Sequence, residues 1–294
     1  MEEESIYNYL QVKETDRSVV LSTNVMFGVQ SIKMKEDGLT GMYYDYALAA
    51  PLMAGLTEGA EGDVLILGMG TGIYATQSLR YFPDLRFEGV EIDQKIADLA
   101  RTYFDLPETV EVATYDGRAY LDATDELYDV IMVDAYQDIT IPFQMSTVEF
   151  FSAVKAHLKE GGVMVVNMNM YSESEDNIND YLSNTIASVF PEVATVPVEN
   201  NTNCELFACN GTGGVDRFRR SIASLWDPEL RKMMARVSGG LTAYAAEDRI
   251  LTDDKAPVEV LGMRELDRII GRELDNIQEI YQTEGVSGLL ALMG

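Results

Sequence analysis

Short apolar runs alternate with amphipathic segments along the middle of the chain. Runs rich in Val, Ile, Leu and Met are typical of parallel strands that are covered on both faces, and five occur here: DVLILG, RFEGVEI, VEVATY, YDVIMVDA and GGVMVVNMNM. Helical spacing is found between them, at Tyr74 to Tyr81, Gln94 to Tyr103, Arg118 to Ala123 and Thr147 to Leu158. The alternation predicts an α/β fold with a Rossmann-like, doubly wound sheet.

The two ends of the chain follow other patterns. Three alternating runs near the start, SIYNYLQVKE, RSVVLSTN and MFGVQSIKM, predict a small antiparallel sheet. Beyond the fifth apolar run, a helix over Asn177 to Val189 is followed by strands at EVATVPV and CELFACN, and the tail is mainly helical. We therefore expect an N-terminal β-strand subdomain at 1–45, a Rossmann-like domain at 46–212 and a helical C-terminal extension at 213–294.

The net charge and the distribution of apolar residues indicate which kinds of binding partner this protein can have. The formal net charge of −27 argues against nucleic acid, because phosphate backbones are held by clustered Lys and Arg. The same field attracts cations, although acidity can equally serve solubility. No apolar run is long enough to span a membrane and the chain opens with MEEES, so neither membrane association nor a signal peptide is expected.

The two cysteines and the single histidine are not spaced along the sequence as metal ligands are. Cys204 and Cys209 lie an odd number of residues apart on one predicted strand, so their side chains point to opposite faces and cannot bridge each other. Zinc-ligand spacing is absent, and His157 ends a predicted helix beside lysines. We expect a reduced, cytoplasmic protein without a bound metal.

A glycine-rich turn, GMGTG, follows the first of the five strands. Gly68, Gly70 and Gly72 let a ligand approach the backbone closely, and the helix behind them offers free N–H groups. Dinucleotide-binding folds usually space these glycines as G-x-G-x-x-G, whereas Ile73 stands where the third glycine would fall. The turn therefore favours a nucleotide other than NAD, although such turns also serve as plain connections.

Acidic residues end the next strands. Glu91 follows the glycine turn by about twenty residues, where an acidic side chain can accept both ribose hydroxyl protons. Asp116 and Gly117 close the third strand, where a carboxylate can receive the exocyclic amine of adenine. Either acid could instead cap the following helix. Three such features at successive strand ends favour an adenosine site.

Asp134 ends the fourth strand, where open α/β sheets place reactive groups. The following connection, 135–146, is long for such a fold, and long loops are often lids or binding loops. The alternative is that Asp134 caps a turn and that Tyr136, Ile141 and Phe143 pack on the core.

Taken together, these runs resemble the spermidine synthase branch of the class I S-adenosylmethionine-dependent methyltransferase fold. GVQS upstream and ILTDDKAPVEVL downstream extend the resemblance over most of the chain, and it is strongest to the spermidine-synthase-like proteins often fused to membrane segments. The resemblance implies a small amine acceptor and an adenosyl sulfonium co-substrate, either S-adenosylmethionine or its decarboxylated form. Members commonly form dimers, so it also implies a homodimer.

The resemblance assigns roles to individual residues. Contacts with the adenosyl co-substrate are implied for Gln30, Gly68, Gly70, Thr71, Gly72, Glu91, Asp116 and Gly117. Asp134 would help to deprotonate the amine, since an ammonium with a pKa of about 10 is not nucleophilic. The amine would then attack the carbon next to the sulfonium and release methylthioadenosine.

Three positions depart from the family pattern. Thr71 replaces an aspartate that usually holds the amino end of decarboxylated S-adenosylmethionine, which also removes repulsion against the carboxylate of the intact form. The family's Tyr-(His/Gln)-Glu cluster is assigned to Tyr44-Asp45-Tyr46, and its Asp-Ser-x-Asp loop to DAYQD, with the second acid at Asp138. Candidate acceptor contacts are Tyr44, Asp45, Tyr136 and Asp138.

The sequence therefore favours an aminopropyl-type transferase. Two alternatives stay open at this point: a methyltransferase that uses intact S-adenosylmethionine on the same fold, and a non-catalytic nucleoside-binding module.

Overall fold

The structure is a computed structural model that describes residues 1–24, 29–135, 141–169 and 177–292. Two sheets organise it, one of four strands and one of eight. The strands are β1 (Glu2–Glu4), β2 (Tyr9–Glu14), β3 (Ser18–Thr23), β4 (Val29–Met34), β5 (Gly62–Leu67), β6 (Leu85–Glu91), β7 (Glu111–Thr114), β8 (Tyr128–Val133), β9 (Leu158–Met168), β10 (Glu192–Pro197), β11 (Cys204–Cys209) and β12 (Thr242–Ala243).

Helices cover both faces of the larger sheet. They are α1 (Tyr43–Ala47), α2 (Ala49–Ala54), α3 (Ile73–Tyr81), α4 (Gln94–Tyr103), α5 (Gly117–Ala123), α6 (Val148–Ala156), α7 (Ile178–Val189), α8 (Gly214–Ser221), α9 (Pro228–Gly240) and α10 (Val258–Leu292). The last is interrupted at Gly285, whose φ of 65° is not helical. The prediction of helices on both faces of an α/β sheet is confirmed.

The larger sheet has the order β12-β10-β11-β9-β8-β5-β6-β7. Strands β5 to β9 run parallel, whereas β11, β10 and β12 continue the sheet antiparallel beyond β9. The strand order reverses between β5 and β8, which makes the carboxyl ends of these two strands the switch point where open sheets bind ligands. The C-terminal extension adds β12 to the edge of the sheet.

Two apolar cores lie on the two faces of this sheet. Cys209 belongs to one core and Cys204 to the other, and both are free and buried. The prediction that the two side chains point to opposite faces is confirmed, because residues an odd number apart on a strand alternate in direction.

The four-stranded sheet covers one end of the larger sheet. Leu10, Val12 and Leu21 on its inner face pack against Ile96 and Phe104 of α4 and its C-cap. Gln30 and Ser31 of β4 thereby line a pocket together with Gly68 and Asp134, which follow β5 and β8. The domain limits at residues 45 and 212 stay predictions.

Candidate active site

The glycine turn holds the first strand end close to the fourth. Both Gly68 and Met69 donate their N–H groups to the carbonyl of Val90, at 2.9 Å each. Gly68 has a φ of +81°, and a Cβ at this position would lie 2.5 Å from the Cα of Ala135. Only glycine fits here, so the backbone after β5 and the backbone after β8 border one opening.

Glu91 braces the same turn from the end of β6. One carboxylate oxygen accepts the N–H of Gly70 at 2.7 Å, and the other accepts the N–H of Asp93 at 3.0 Å. The side chain is buried, and this burial raises the pKa of Glu91 even though the backbone donors favour its charged form. The carboxylate is thus fixed in one orientation at the edge of the opening.

A cavity of about 190 Å³ lies over these strand ends and is here named the glycine-loop cavity. Its wall includes seven residues that the sequence predicts to act at the site: Gln30, Gly68, Gly70, Glu91, Asp116, Gly117 and Asp134. Asp116 also caps α5, accepting the N–H of Ala119 at 2.9 Å. The two interpretations of this residue, helix cap and cavity wall, are therefore compatible.

A second cavity of about 300 Å³ adjoins the first and is here named the asparagine cavity. Gln30 and Asp134 line both cavities. Further wall residues come from α1 and its N-cap and from the ends of β9 and β11: Met42, Tyr43, Tyr44, Asn167, Asn169, Asn201, Thr202 and Asn203. Asp134 thus stands at the junction of two differently built spaces.

The carboxylate of Asp134 is held from both sides. Tyr43 donates its hydroxyl to Oδ2 at 2.8 Å, and Asn167 donates its side-chain amide to Oδ1 at 2.9 Å. The pKa of Asp134 is raised to about 7, because desolvation by the surrounding protein, together with the charge of Glu91, outweighs the two hydrogen bonds that lower it. A carboxyl group with this pKa can both accept and release a proton near neutral pH.

Asn203 fixes the orientation of the Asn167 side-chain amide, which in turn holds the carboxylate of Asp134. Its own side-chain amide donates to Oδ1 of Asn167 at 2.7 Å. Asn167 therefore presents its nitrogen, and not its oxygen, to the Asp134 carboxylate. The chain Asn203, Asn167, Asp134 runs along the floor of the asparagine cavity.

Tyr44 and Asp45 of α1 are the predicted acceptor contacts, and both stay predictions. Tyr43, not Tyr44, reaches Asp134. The hydroxyl of Tyr44 accepts a hydrogen bond from the hydroxyl of Thr40 at 2.9 Å, and Tyr44 also lines the asparagine cavity. Asp45 is fully buried and accepts the N–H groups of Thr40 and Gly41, at 2.5 and 2.6 Å.

Asp45 is buried and lines neither the glycine-loop cavity nor the asparagine cavity. Its second oxygen accepts the side-chain amide of Gln77 at 2.9 Å. These bonds fix the turn before α1, so Asp45 positions the helix that carries Tyr43.

Two glycine-turn residues also lie away from the cavities. Thr71 is fully buried, and its hydroxyl has no hydrogen-bond partner within the described part of the chain. Gly72 has a φ of +74°, and a Cβ there would overlap the side chain of Leu106. Gly72 therefore serves helix packing, and the contacts of Thr71 and Gly72 with the co-substrate stay predictions. Tyr136 and Asp138 lie outside the described residues.

Sequence reasoning missed Tyr43, Asn167 and Asn203. Polar residues that interrupt an apolar run at its carboxyl end were the available signal for Asn167, in VMVVNMNM. Tyr43 and Asn203 carry no such local mark, because their positions depend on how α1 and β11 meet β9.

The described residues were also compared with the requirements of a metal site, a catalytic histidine and a membrane-spanning helix. No group of three or more His, Cys, Asp or Glu side chains there is arranged to hold a metal ion. His157 bonds through its ring to the carbonyls of Ala153 and Thr124, at 2.9 and 3.0 Å. Within those same ranges, every helix is too short or too polar to cross a membrane.

A glycine turn after the first strand, an acid at the end of the second and a cavity over the switch point are typical of the Rossmann-like, methyltransferase-type fold. The family model for the spermine/spermidine synthase domain matches residues 49–212. A probable polyamine aminopropyl transferase of Bifidobacterium longum is 53% identical over 306 aligned positions, which cover 98% of this chain and 68% of the relative. The chain therefore belongs to the spermine/spermidine synthase family.

Solved structures agree on the fold. A probable spermidine synthase from Corynebacterium glutamicum has a TM-score of 0.62 at 20% identity, over 84% of this chain and 96% of that one. Spermidine synthase from Thermotoga maritima has a TM-score of 0.61 at 18% identity, over 81% and 87%. The resemblance found in the sequence, and the fold class it implies, are confirmed.

Proposed function

We propose that this protein is an enzyme that transfers an aminopropyl group from an adenosyl sulfonium to a small amine. The observation that carries the proposal is the placement of Asp134 at the junction of two cavities, held by Tyr43 and Asn167. The 53% identical relative, which is a probable polyamine aminopropyl transferase, supports the same activity. In this arrangement one substrate occupies each cavity and the reacting atoms meet at Asp134.

The glycine-loop cavity suits the nucleoside of the donor. Glu91 presents a fixed carboxylate, as needed to accept ribose hydroxyl protons, and Asp116 lies at the next strand end for the adenine amine. Gly68 and Gly70 leave room for the ligand along the backbone. Gln30, which lines both cavities, completes the proposed contacts from the N-terminal sheet.

The reaction needs a nucleophilic nitrogen and a good leaving group. The amine forms a C–N bond to the carbon next to the sulfonium, the C–S bond breaks with its electron pair going to sulfur, and neutral methylthioadenosine leaves. Asp134 accepts the proton that the nitrogen must lose. Much of the rate would come from holding the two substrates in line across the junction.

Charge favours the decarboxylated donor. Glu91, Asp116 and Asp134 place three acidic side chains along the glycine-loop cavity. An additional carboxylate on the donor would meet like charges there, whereas the free ammonium of decarboxylated S-adenosylmethionine would be attracted. Thr71 does not line this cavity, so its replacement of an aspartate weighs less than these three acids.

A donor and acceptor screen tests the proposal. We expect methylthioadenosine and an aminopropylated amine when the protein is incubated with decarboxylated S-adenosylmethionine and a panel of mono- and diamines, followed by mass spectrometry. S-adenosylhomocysteine as the only nucleoside product, formed from the intact donor, would contradict aminopropyl transfer and indicate a methyltransferase. A homodimer and a cytoplasmic location stay predictions.

A further inference from the structure

Asp253 and Arg118 form an ion pair that the proposed reaction does not use. Asp253 lies in the C-terminal extension, beyond the matched family domain, which ends at residue 212. Its two carboxylate oxygens accept hydrogen bonds from the two terminal nitrogens of the Arg118 guanidinium, at 2.8 and 2.7 Å. Both side chains are partly exposed, at 38% and 22%, and an ion pair in such surroundings contributes little to stability. Stability alone is therefore a weak reason for this contact.

The Arg118 guanidinium also connects two parts of the glycine-loop cavity wall. Arg118 directly follows Gly117, a wall residue at the start of α5. The nitrogen that donates to Oδ1 of Asp253 donates as well to the carbonyl of Gln144, at 3.0 Å. Gln144 and Met145 lie in a short 3₁₀ helix, and both line the cavity. Arg118 itself does not line the described cavity wall, so its effect on a ligand passes through Gln144.

The same segment of the extension is bonded to the start of α6, immediately after this wall. The hydroxyl of Thr147, the N-cap of α6, donates to Oδ1 of Asp253 at 2.7 Å. The N–H of Val148 donates to the carbonyl of Leu251 at 2.9 Å, and the N–H of Asp253 donates to Oε2 of Glu149 at 3.0 Å. These three hydrogen bonds fix the position of the Asp253 carboxylate relative to α6.

The two wall parts that Arg118 connects are in close contact. A Cβ placed on Gly117 would lie 3.2 Å from the terminal methyl carbon of Met145. A shift of the 3₁₀ helix would therefore change the shape of the cavity beside Asp116, where we propose that the adenine amine lies.

The orientation of Arg118 depends on its partner. An arginine side chain has many rotamers, and a bidentate carboxylate selects one orientation of its planar guanidinium. The hydrogen bonds from Arg118 and Thr147 lower the pKa of Asp253 to about 2, so the carboxylate is ionised at neutral pH. The guanidinium is thus held towards the Gln144 carbonyl whether or not a ligand is bound.

We propose that Asp253 is a positioning residue for the donor, which holds Arg118 so that Gln144 and Met145 keep the shape of the glycine-loop cavity. The inference rests on the proposed function, because it takes this cavity as the site of the donor nucleoside. It makes the C-terminal extension part of the donor site. A wall that is ordered before binding spares the ligand the free energy of ordering it.

Calorimetric titration of the full chain with methylthioadenosine tests this without relying on turnover. This nucleoside is uncharged, so its affinity reports the shape of the cavity and not the loss of a negative charge. In Asp253→Ala the affinity should fall about 3- to 10-fold, as expected when side chains must be ordered on binding, with the stoichiometry unchanged. A role in folding alone would instead lower the stoichiometry and leave the Kd as it is.

A double-variant cycle tests whether Asp253 acts through Arg118. Arg118→Ala should lose at least as much affinity as Asp253→Ala, and the variant with both changes should lose no more than Arg118→Ala, because the two side chains act as one unit. Asp253→Asn, which keeps the shape of the side chain, should show a smaller loss in the same direction.

Asp63→Ala is the matched control. Asp63 bonds to Lys159 at 2.7 Å with side-chain exposures of 25% and 37%, close to those of the Asp253 pair, but it lies at the amino end of β5, away from the cavity. Its methylthioadenosine affinity should equal that of the unaltered protein.

Three results would overturn the inference: an unchanged Kd in Asp253→Ala, an equal loss in Asp63→Ala, or losses that multiply in the double variant. Failure of the proposed function is read separately, as the absence of methylthioadenosine when the unaltered protein is incubated in the donor screen.

Discussion

The glycine-loop cavity and the asparagine cavity meet at Asp134 but are built in different ways. In the first, a tight turn and strand-end acids are held by backbone donors: Glu91 accepts the N–H groups of Gly70 and Asp93. In the second, side chains hold side chains, through the series Asn203, Asn167, Asp134 and Tyr43. The first depends on local backbone geometry, and the second depends on the register between distant strands.

This difference indicates where the chemistry can be tuned. A site made of backbone groups tolerates few changes, because glycines such as Gly68 have no room for a side chain. A site made of side-chain amides can change its ligand through single substitutions. We expect variants of this chain to keep the same donor, whereas the choice of acceptor should respond to changes at Asn167 and Asn203.

The largest effect is expected from Asp134→Asn, at the junction itself. The amide has nearly the same shape but cannot accept the proton of the amine, so kcat should fall by about 10²- to 10⁴-fold. Methylthioadenosine affinity, measured by calorimetry, should stay nearly unchanged because Glu91 and Asp116 are intact. Unchanged turnover would remove Asp134 from the mechanism.

A smaller effect is expected from Glu91→Gln, which alters the wall of the glycine-loop cavity and removes a charge that helps to raise the pKa of Asp134. One of its oxygens becomes an NH₂ group facing a backbone N–H, and the charged acceptor for the ribose is lost. Nucleoside affinity should fall about 10- to 100-fold, while the preference among amines at saturating donor is unaffected. Glu88→Gln is a control on the same strand, since Glu88 bonds to the hydroxyls of Tyr120 and Tyr128 and does not line the described cavity walls. Equal losses in both variants would mean that Glu91 acts through folding alone.

The smallest effect is expected from Tyr43→Phe, and it should depend on pH. The Tyr43 hydroxyl lowers the pKa of Asp134, so its removal raises that pKa above about 7. Less carboxylate is then present at neutral pH, and the acid limb of the kcat profile should move upward by about one pH unit. Turnover well above this limb should approach that of the unaltered protein.

Tyr44→Phe is the matched control for this pH profile, because its hydroxyl bonds to Thr40 and not to Asp134. Its acid limb should stay where it is. A shift of the Tyr43→Phe limb to lower pH, or an equal shift in both variants, would contradict the hydrogen bond as the cause.

Much of the fold and of one cavity was predictable from the sequence. Strand β6 ends at Glu91 and helix α4 spans Gln94–Tyr103, as the pattern predicts. Apolar runs, glycine turns and helix caps are set within a few residues of each other, so a local pattern carries them. The roles of Tyr44, Asp45 and Thr71 stay predictions, because their surroundings come from other segments of the chain.

The sequence by itself determined the doubly wound sheet, the glycine turn and the acids at successive strand ends, because each follows from local periodicity and backbone sterics. Only the tertiary structure decided which tyrosine reaches Asp134, that Asp45 braces a turn, and that Asn167 and Asn203 line up beside Asp134. Strand register sets these contacts, and a shift of one residue would send each side chain to the other face. No local pattern in a single sequence records that register.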